Sequence, residues 1–65
     1  MTFGEKIKEI RLSRGLTIQE LSVKSGLSVV SISHYENNKA KPTLVNVQKL
    51  SVGLKCKFDD LYKLL

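Results

Sequence analysis

The chain has one cysteine, Cys56, one proline, no tryptophan, and only two tyrosines and two phenylalanines. A lone cysteine closes no internal disulfide, so a bridge-stapled secreted scaffold is excluded and a reducing compartment is expected. The lone histidine, His34, has no Cys or second His near it to complete a metal site. No apolar run approaches the roughly 18–20 residues that span a bilayer. The N-terminal MTFGEKIKEI lacks the continuous apolar block of a signal peptide. These absences predict a cytoplasmic protein with no membrane partner. There is also no Gly-rich phosphate loop and no Ser/His/Asp set at a workable spacing. No enzymatic activity, no cofactor and no small-molecule ligand are therefore expected.

What the chain does contain is a 42% hydrophobic complement, a net charge of +5 and 65 residues. That length buries one small core, so residues 1–65 read as a single domain. The basic balance points to a polyanionic partner, nucleic acid or an acidic surface. No segment alternates strictly between apolar and polar residues, which predicts no sheet. Five helical segments fit instead. The first covers about Thr2 to Ser13, with Phe3, Ile7 and Ile10 on one face and Glu5, Lys6, Lys8 and Glu9 on the solvated side. Gly15 ends it, and Leu16 turns back toward the core. Thr17 caps the second, with Glu20 completing a capping box. Leu21 points inward, and the small Ser22 beside it is expected to let the third helix cross closely. The third covers about Ser28 to Tyr35 around Ile32. After a loop in which Asn38 takes a positive φ, Pro42 and Thr43 start the fourth, whose inward face is Leu44, Val47, Leu50 and Leu54. Gly53 weakens its last turn. A short fifth helix, about Phe58 to Leu64, turns Phe58, Leu61 and Leu65 inward and carries Asp59 and Asp60 in its first turn, where the helix dipole favours acids. The fold class is all-α, a five-helix globule.

The centre of the chain is Gln19 to Glu36, QELSVKSGLSVVSISHYE. Gly26 can take a left-handed conformation at the end of one helix, and Ser28 can cap the next. Two helices joined by so short a Gly-containing turn form a helix-turn-helix, whose second helix reads the DNA major groove.

The whole ordered set of motifs resembles the phage repressor and Cro family, the Xre-type helix-turn-helix. It comprises IKEIR at 7–11, GLT at 15–17, QELS at 19–22, SGLS at 25–28, ISHYE at 32–36, PTL at 42–44 and DDLY at 59–62. The resemblance implies a repressor-like fold and a transcriptional regulator of double-stranded DNA. It also implies a structural ion pair between Arg11 and Glu36, whose planar guanidinium suits a bidentate bond to a carboxylate. Three positions depart from the family's pattern. Ile18 stands where a phosphate-clamping Gln is usual, Asn38 where Gly is usual, and Lys57 where a capping Ser or Thr is usual, so the fifth helix is expected to fray at its start.

The family match places Val29, Val30 and His34 at base-contact positions, with Ser33 beside them. The valines can pack on thymine C5-methyl groups, and His34 and Ser33 can hydrogen-bond base edges. Phosphate contacts are expected from Gln19, Ser28, Ser31, Asn37, Lys39 and Lys41, aided by free N–H groups at the helix N-terminus. Between Leu21 and Phe58 six lysines face one acid, Glu36. Competing readings are ordinary core for Val29 and Val30, a solvated surface histidine for His34, a plain surface glutamine for Gln19, and a merely solvated face for Lys49, Lys55 and Lys57. Tyr35 is read as a packing residue with its hydroxyl at the rim. One reading helix covers only about four to six base pairs, so a homodimer on half-sites about one helical turn apart is expected. Its interface would comprise Cys56, Lys57, Phe58, Leu61 and Leu65, with the outward Val45 and Val52 as further candidates. The rival class is a protein-interaction module of the same fold, such as an antitoxin or adaptor subunit.

Overall fold

A computed structural model describes residues 1–65, and five helices follow one another: α1 Phe3–Ser13, α2 Ile18–Ser25, α3 Val29–Glu36, α4 Leu44–Leu54 and α5 Phe58–Tyr62. None is long and apolar enough to cross a membrane. Each of the first four starts on a hydroxyl cap: Thr2, Thr17, Ser28 and Thr43 accept from the backbone N–H of Glu5, Glu20, Ser31 and Asn46. Such a cap satisfies a donor that has no partner inside the helix. At Thr2 and Thr17 the box is complete, because the Glu5 and Glu20 carboxylates accept from the cap backbone N–H at 2.8 and 2.9 Å. Glu5 is thereby drawn away from the Lys8 pairing its spacing allows; Lys6 and Glu9, at 3.8 Å, do pair. Lys57 gives α5 no side-chain cap, as its sequence implied.

The backbone N–H of Thr2 and of Thr17 is the main cause holding the Glu5 and Glu20 carboxyls below their ordinary values. A carboxyl lowered in the fold stabilises it above the unfolded-chain value, about pH 4.3 for Glu, and that contribution fades as pH falls through the lowered folded value. Thermal melts should therefore show an acid limb that flattens in Glu5→Gln/Glu20→Gln, while Thr17→Ala lowers stability by about 1 kcal/mol across the range.

The core gathers one to three side chains from each helix, with Leu27 from the turn: Phe3, Ile7, Leu21, Leu27, Ile32, Tyr35, Val47, Leu50, Leu54 and Leu61. Ile10, Ile18, Cys56, Phe58 and Leu64 lean on it from the rim. Two expected core positions lie outside. Leu44 is 58% exposed and Leu65 is 55% exposed. The first turn of α4 precedes the point where the helix meets the body, so the apolar stripe starts one turn earlier than its burial. At the other end, Leu64 rather than Leu65 packs on the core. Val45 and Val52 point outward, as their register implied.

Two small residues, Gly53 and Ser25, let α4 cross closely over α2. A Cβ built on Gly53 would lie 2.9 Å from the Ser25 Cβ, 3.0 Å from Leu21 Cδ1 and 3.1 Å from the Ser25 Cα. Gly53 is thus the point where α4 touches α2, a role its reading as a weak last turn missed. Ser22 donates its hydroxyl to the Leu27 carbonyl across the turn. Gly53→Ala weighs a helix-propensity gain of about 1 kcal/mol against an overpacking cost of about 1–3 kcal/mol. The clash should win, because the opposing atoms include α2 backbone, which no rotamer change removes. A net loss of up to about 2 kcal/mol in urea unfolding is expected.

Polar contacts close the remaining gaps. Arg14 donates from Nε to the Leu54 carbonyl at 3.0 Å and from a terminal nitrogen to the Lys55 carbonyl at 3.1 Å, capping the end of α4. There Lys55 itself turns left-handed, with φ 55°. The Tyr35 hydroxyl, at the rim of the core, accepts from Asn46 Nδ2 at 2.7 Å.

Candidate nucleic-acid interface

α2 ends at Gly26, whose φ of 77° reverses the chain and whose N–H donates to the Ser22 carbonyl at 2.9 Å. Leu27 drops into the core, and its N–H donates to the Ser25 hydroxyl. Ser28 then starts α3 after a turn of three residues, 26–28. Ile32 is fully buried on the inner side of α3 and Tyr35 nearly so. The opposite flank is open: Val29 is 37% and Val30 63% exposed, His34 is exposed, and Ser33 is half-buried. Ordinary core packing is thereby excluded for Val30.

The far end of α3 is fixed by the ion pair. Arg11 donates from Nε and a terminal nitrogen to the two Glu36 oxygens at 2.7 and 3.1 Å, and its third donor reaches the Leu16 carbonyl at 2.8 Å. Both residues are under 9% exposed. The fork clamps α1, the α1–α2 turn and the last residue of α3 together, which sets the orientation of the exposed flank.

The lysine loop is continuous with that flank. The Lys39 N–H donates to the His34 carbonyl at 2.8 Å, and Asn38 takes φ 57° to make the turn. Asn38 also accepts from the Gly4 N–H at 3.0 Å and donates to the Thr2 hydroxyl at 3.0 Å, tying the loop to the start of α1. Lys39 and Lys41 are exposed on it, as is Asn37, whose side-chain amide donates to the Ser33 carbonyl at 2.8 Å. Gln19 is exposed at the start of α2. Of the two serines, Ser28 accepts from the Ser31 N–H and donates to the Ser31 hydroxyl, so Ser31 keeps the free O–H.

The six lysines counted together in the sequence do not form one field. Lys24 and Lys55 gather with Arg14 around a small hollow of about 170 Å³ beside Gly53 and Leu54, apart from the α3–α4 loop. Linear charge counting could not separate the groups, since chain order says nothing of which helix end each residue reaches.

At the C-terminal end Phe58 stacks on Tyr62 with ring centroids 5.5 Å apart. Tyr62 and Val52 are 51% and 63% exposed, Lys57 and Leu65 are exposed, and Cys56 and Phe58 are half-buried. Leu61, expected at a subunit interface, is 0% exposed and belongs to the chain's own core, so it has no surface to offer a second copy. Tyr62, one residue on, carries the exposed apolar surface instead. Burial raises the Cys56 thiol above its ordinary range, which keeps it a neutral apolar group at neutral pH.

A supporting helix, a three-residue turn and a capped second helix with an open flank define a helix-turn-helix domain. The HTH_3 family model, described as Helix-turn-helix, matches residues 7–61. The chain belongs to this Xre/Cro/C1-type family of DNA-binding transcriptional regulators. Two Bacillus subtilis (strain 168) proteins are similar to it. One is the HTH-type transcriptional repressor RghR, 36% identical over 61 residues; the other is the uncharacterised HTH-type transcriptional regulator RghRB, 38% identical over 60. The alignments cover 92% and 91% of this chain but 45% and 43% of those proteins, so the chain spans less than half the length of the curated relatives it matches. Among solved structures, the restriction-modification controller protein C.AhdI from Aeromonas hydrophila superposes with a TM-score of 0.87 at 30% identity, over 91% of this chain and 89% of that one. The P22 c2 repressor, solved in complex with synthetic operator 9T, gives 0.86 at 31% identity over 94% and 92%.

Proposed function

We propose that this chain is the sequence-specific double-stranded DNA-binding part of a cytoplasmic transcriptional regulator, a repressor that acts as a homodimer with α3 in the major groove. The observation that carries this reading is the continuity of the open α3 flank with the lysine loop through the Lys39–His34 backbone bond. A base-reading surface and a phosphate-binding surface are then adjacent, as groove docking requires. Val29, Val30, Ser33 and His34 face the bases. Gln19, Ser31, Asn37, Lys39 and Lys41, with Ser28 as the cap that presents the first N–H groups of α3, face the phosphates. The name of RghR as a repressor and the operator bound to the P22 c2 repressor support the same reading.

The second copy would meet the C-terminal surface, where the exposed Val52, Tyr62 and Leu65 adjoin the half-buried Cys56 and Phe58 and the charged Lys57. An isologous dimer pairs one such patch with itself. Selection of bound duplexes from a random pool tests the proposal. Enrichment of a site with two related halves about one helical turn, roughly 34 Å, apart is expected. Retention of random and selected duplexes alike, or loss of all retention at low salt, would overturn it.

A further inference from the structure

The open flank of α3 has two stripes, because residues four apart share a face of a helix. Val30 lies above His34, and Val29 above Ser33. In each stripe the N-terminal member, which in this docking geometry meets the base edges, is a valine. α3, VVSISHYE, contains no Arg, Lys, Asn or Gln, the side chains that pair bidentately with guanine or adenine. Two polar side chains beside the flank are committed within the chain: Asn37 donates to the Ser33 carbonyl at 2.8 Å, and Ser28 is bonded to Ser31. The one apolar feature in the major groove is the pyrimidine C5-methyl group.

Resting on the DNA-binding reading above, we propose that this protein recognises its site chiefly through C5-methyl groups seated against Val29 and Val30, so that its ligand class is duplex DNA carrying C5-methylated pyrimidines at fixed positions. Thymine supplies such a methyl. 5-Methylcytosine presents the same group at the same place in the groove and satisfies the same contact, which makes binding sensitive to cytosine methylation wherever a valine meets a C·G pair. His34 and Ser33 then add hydrogen bonds at the outer edge of the half-site.

The test uses the duplex enriched from the random pool, with dissociation constants read by fluorescence anisotropy. Each thymine of one half-site is replaced in turn by uracil, which deletes the methyl and nothing else. At one or two positions the affinity should fall about fourfold, the ratio that burying one methyl-sized group corresponds to. In Val30→Ala or Val29→Ala the penalty at the matching position should shrink toward onefold. Val30 is 63% exposed, so its truncation leaves the fold intact. At the same position cytosine should bind weakly and 5-methylcytosine about fourfold better than cytosine. Uracil penalties below twofold at every position, or penalties equal in wild type and both alanine variants, would overturn the inference while leaving the regulator reading standing. A chain that enriches no duplex at all would overturn both.

Discussion

Glu36→Ala is expected to lower the unfolding free energy by about 3–5 kcal/mol, because it strands a buried guanidinium. Arg11 would lose two of its three side-chain bonds, keeping only the one to the Leu16 carbonyl. A domain of this size has at most about 10 kcal/mol of stability to lose, and each kcal/mol shifts Tm by about 4–8 °C. The variant should therefore melt tens of degrees early. Arg11→Met should do comparable damage from the other side, by leaving the carboxylate unpaired. The double variant Arg11→Met/Glu36→Leu should recover most of the loss, since apolar replacement of a whole buried pair is often neutral. Thermal and urea unfolding of the four proteins close the cycle. A double variant as unstable as the two losses summed would mean that the residues act independently and that the fork contributes nothing as a pair.

The second large effect is on affinity. Lys39→Ala/Lys41→Ala should flatten the dependence of log K on log salt by about two, because each phosphate contact contributes a slope of about 0.9. Extrapolated from a 1 M reference, two lost contacts correspond to roughly thirtyfold weaker binding at 0.15 M salt and a few hundredfold at 0.05 M. The loss should be the same for selected and random duplexes, since phosphates carry no sequence. Lys24→Ala/Lys55→Ala removes the same charge from the separate hollow beside Gly53 and should change the slope little. Equal slopes for the two double variants would mean that net charge, not the loop, sets the affinity.

Much of this architecture was legible because its signals are local. The capping box at Thr17, the left-handed Gly26 and Asn38, and the missing cap at Lys57 depend on a few adjacent residues. The Arg11–Glu36 fork spans 25 residues and came through the family resemblance, not through periodicity. What escaped has no hydropathy signature. Ser25 and Gly53 matter for the side-chain volume they lack, which no apolar stripe records. Arg14 caps a helix 40 residues away with donors that look like ordinary surface charge. Leu44 continues the α4 stripe beyond the body it packs on, and Leu61 was read as interface because a register fixes the inward face without saying what covers it. The exposure of Val30 could not be told from core by composition, since valine serves both. The family match favours an outward Val30, and its 63% exposure in the fold settles that it is not core.

The claim on which the rest depends is that the open flank of α3 is the surface that meets DNA. Titrating the selected duplex into labelled protein and following backbone amide resonances tests it most directly. The largest shifts should fall on Gln19, on Ser28 to His34 and on Lys39 to Lys41, with the start of α4 and the Arg14–Lys55 hollow unmoved. Shifts concentrated at that hollow, with Ser28 to His34 silent, would contradict the account.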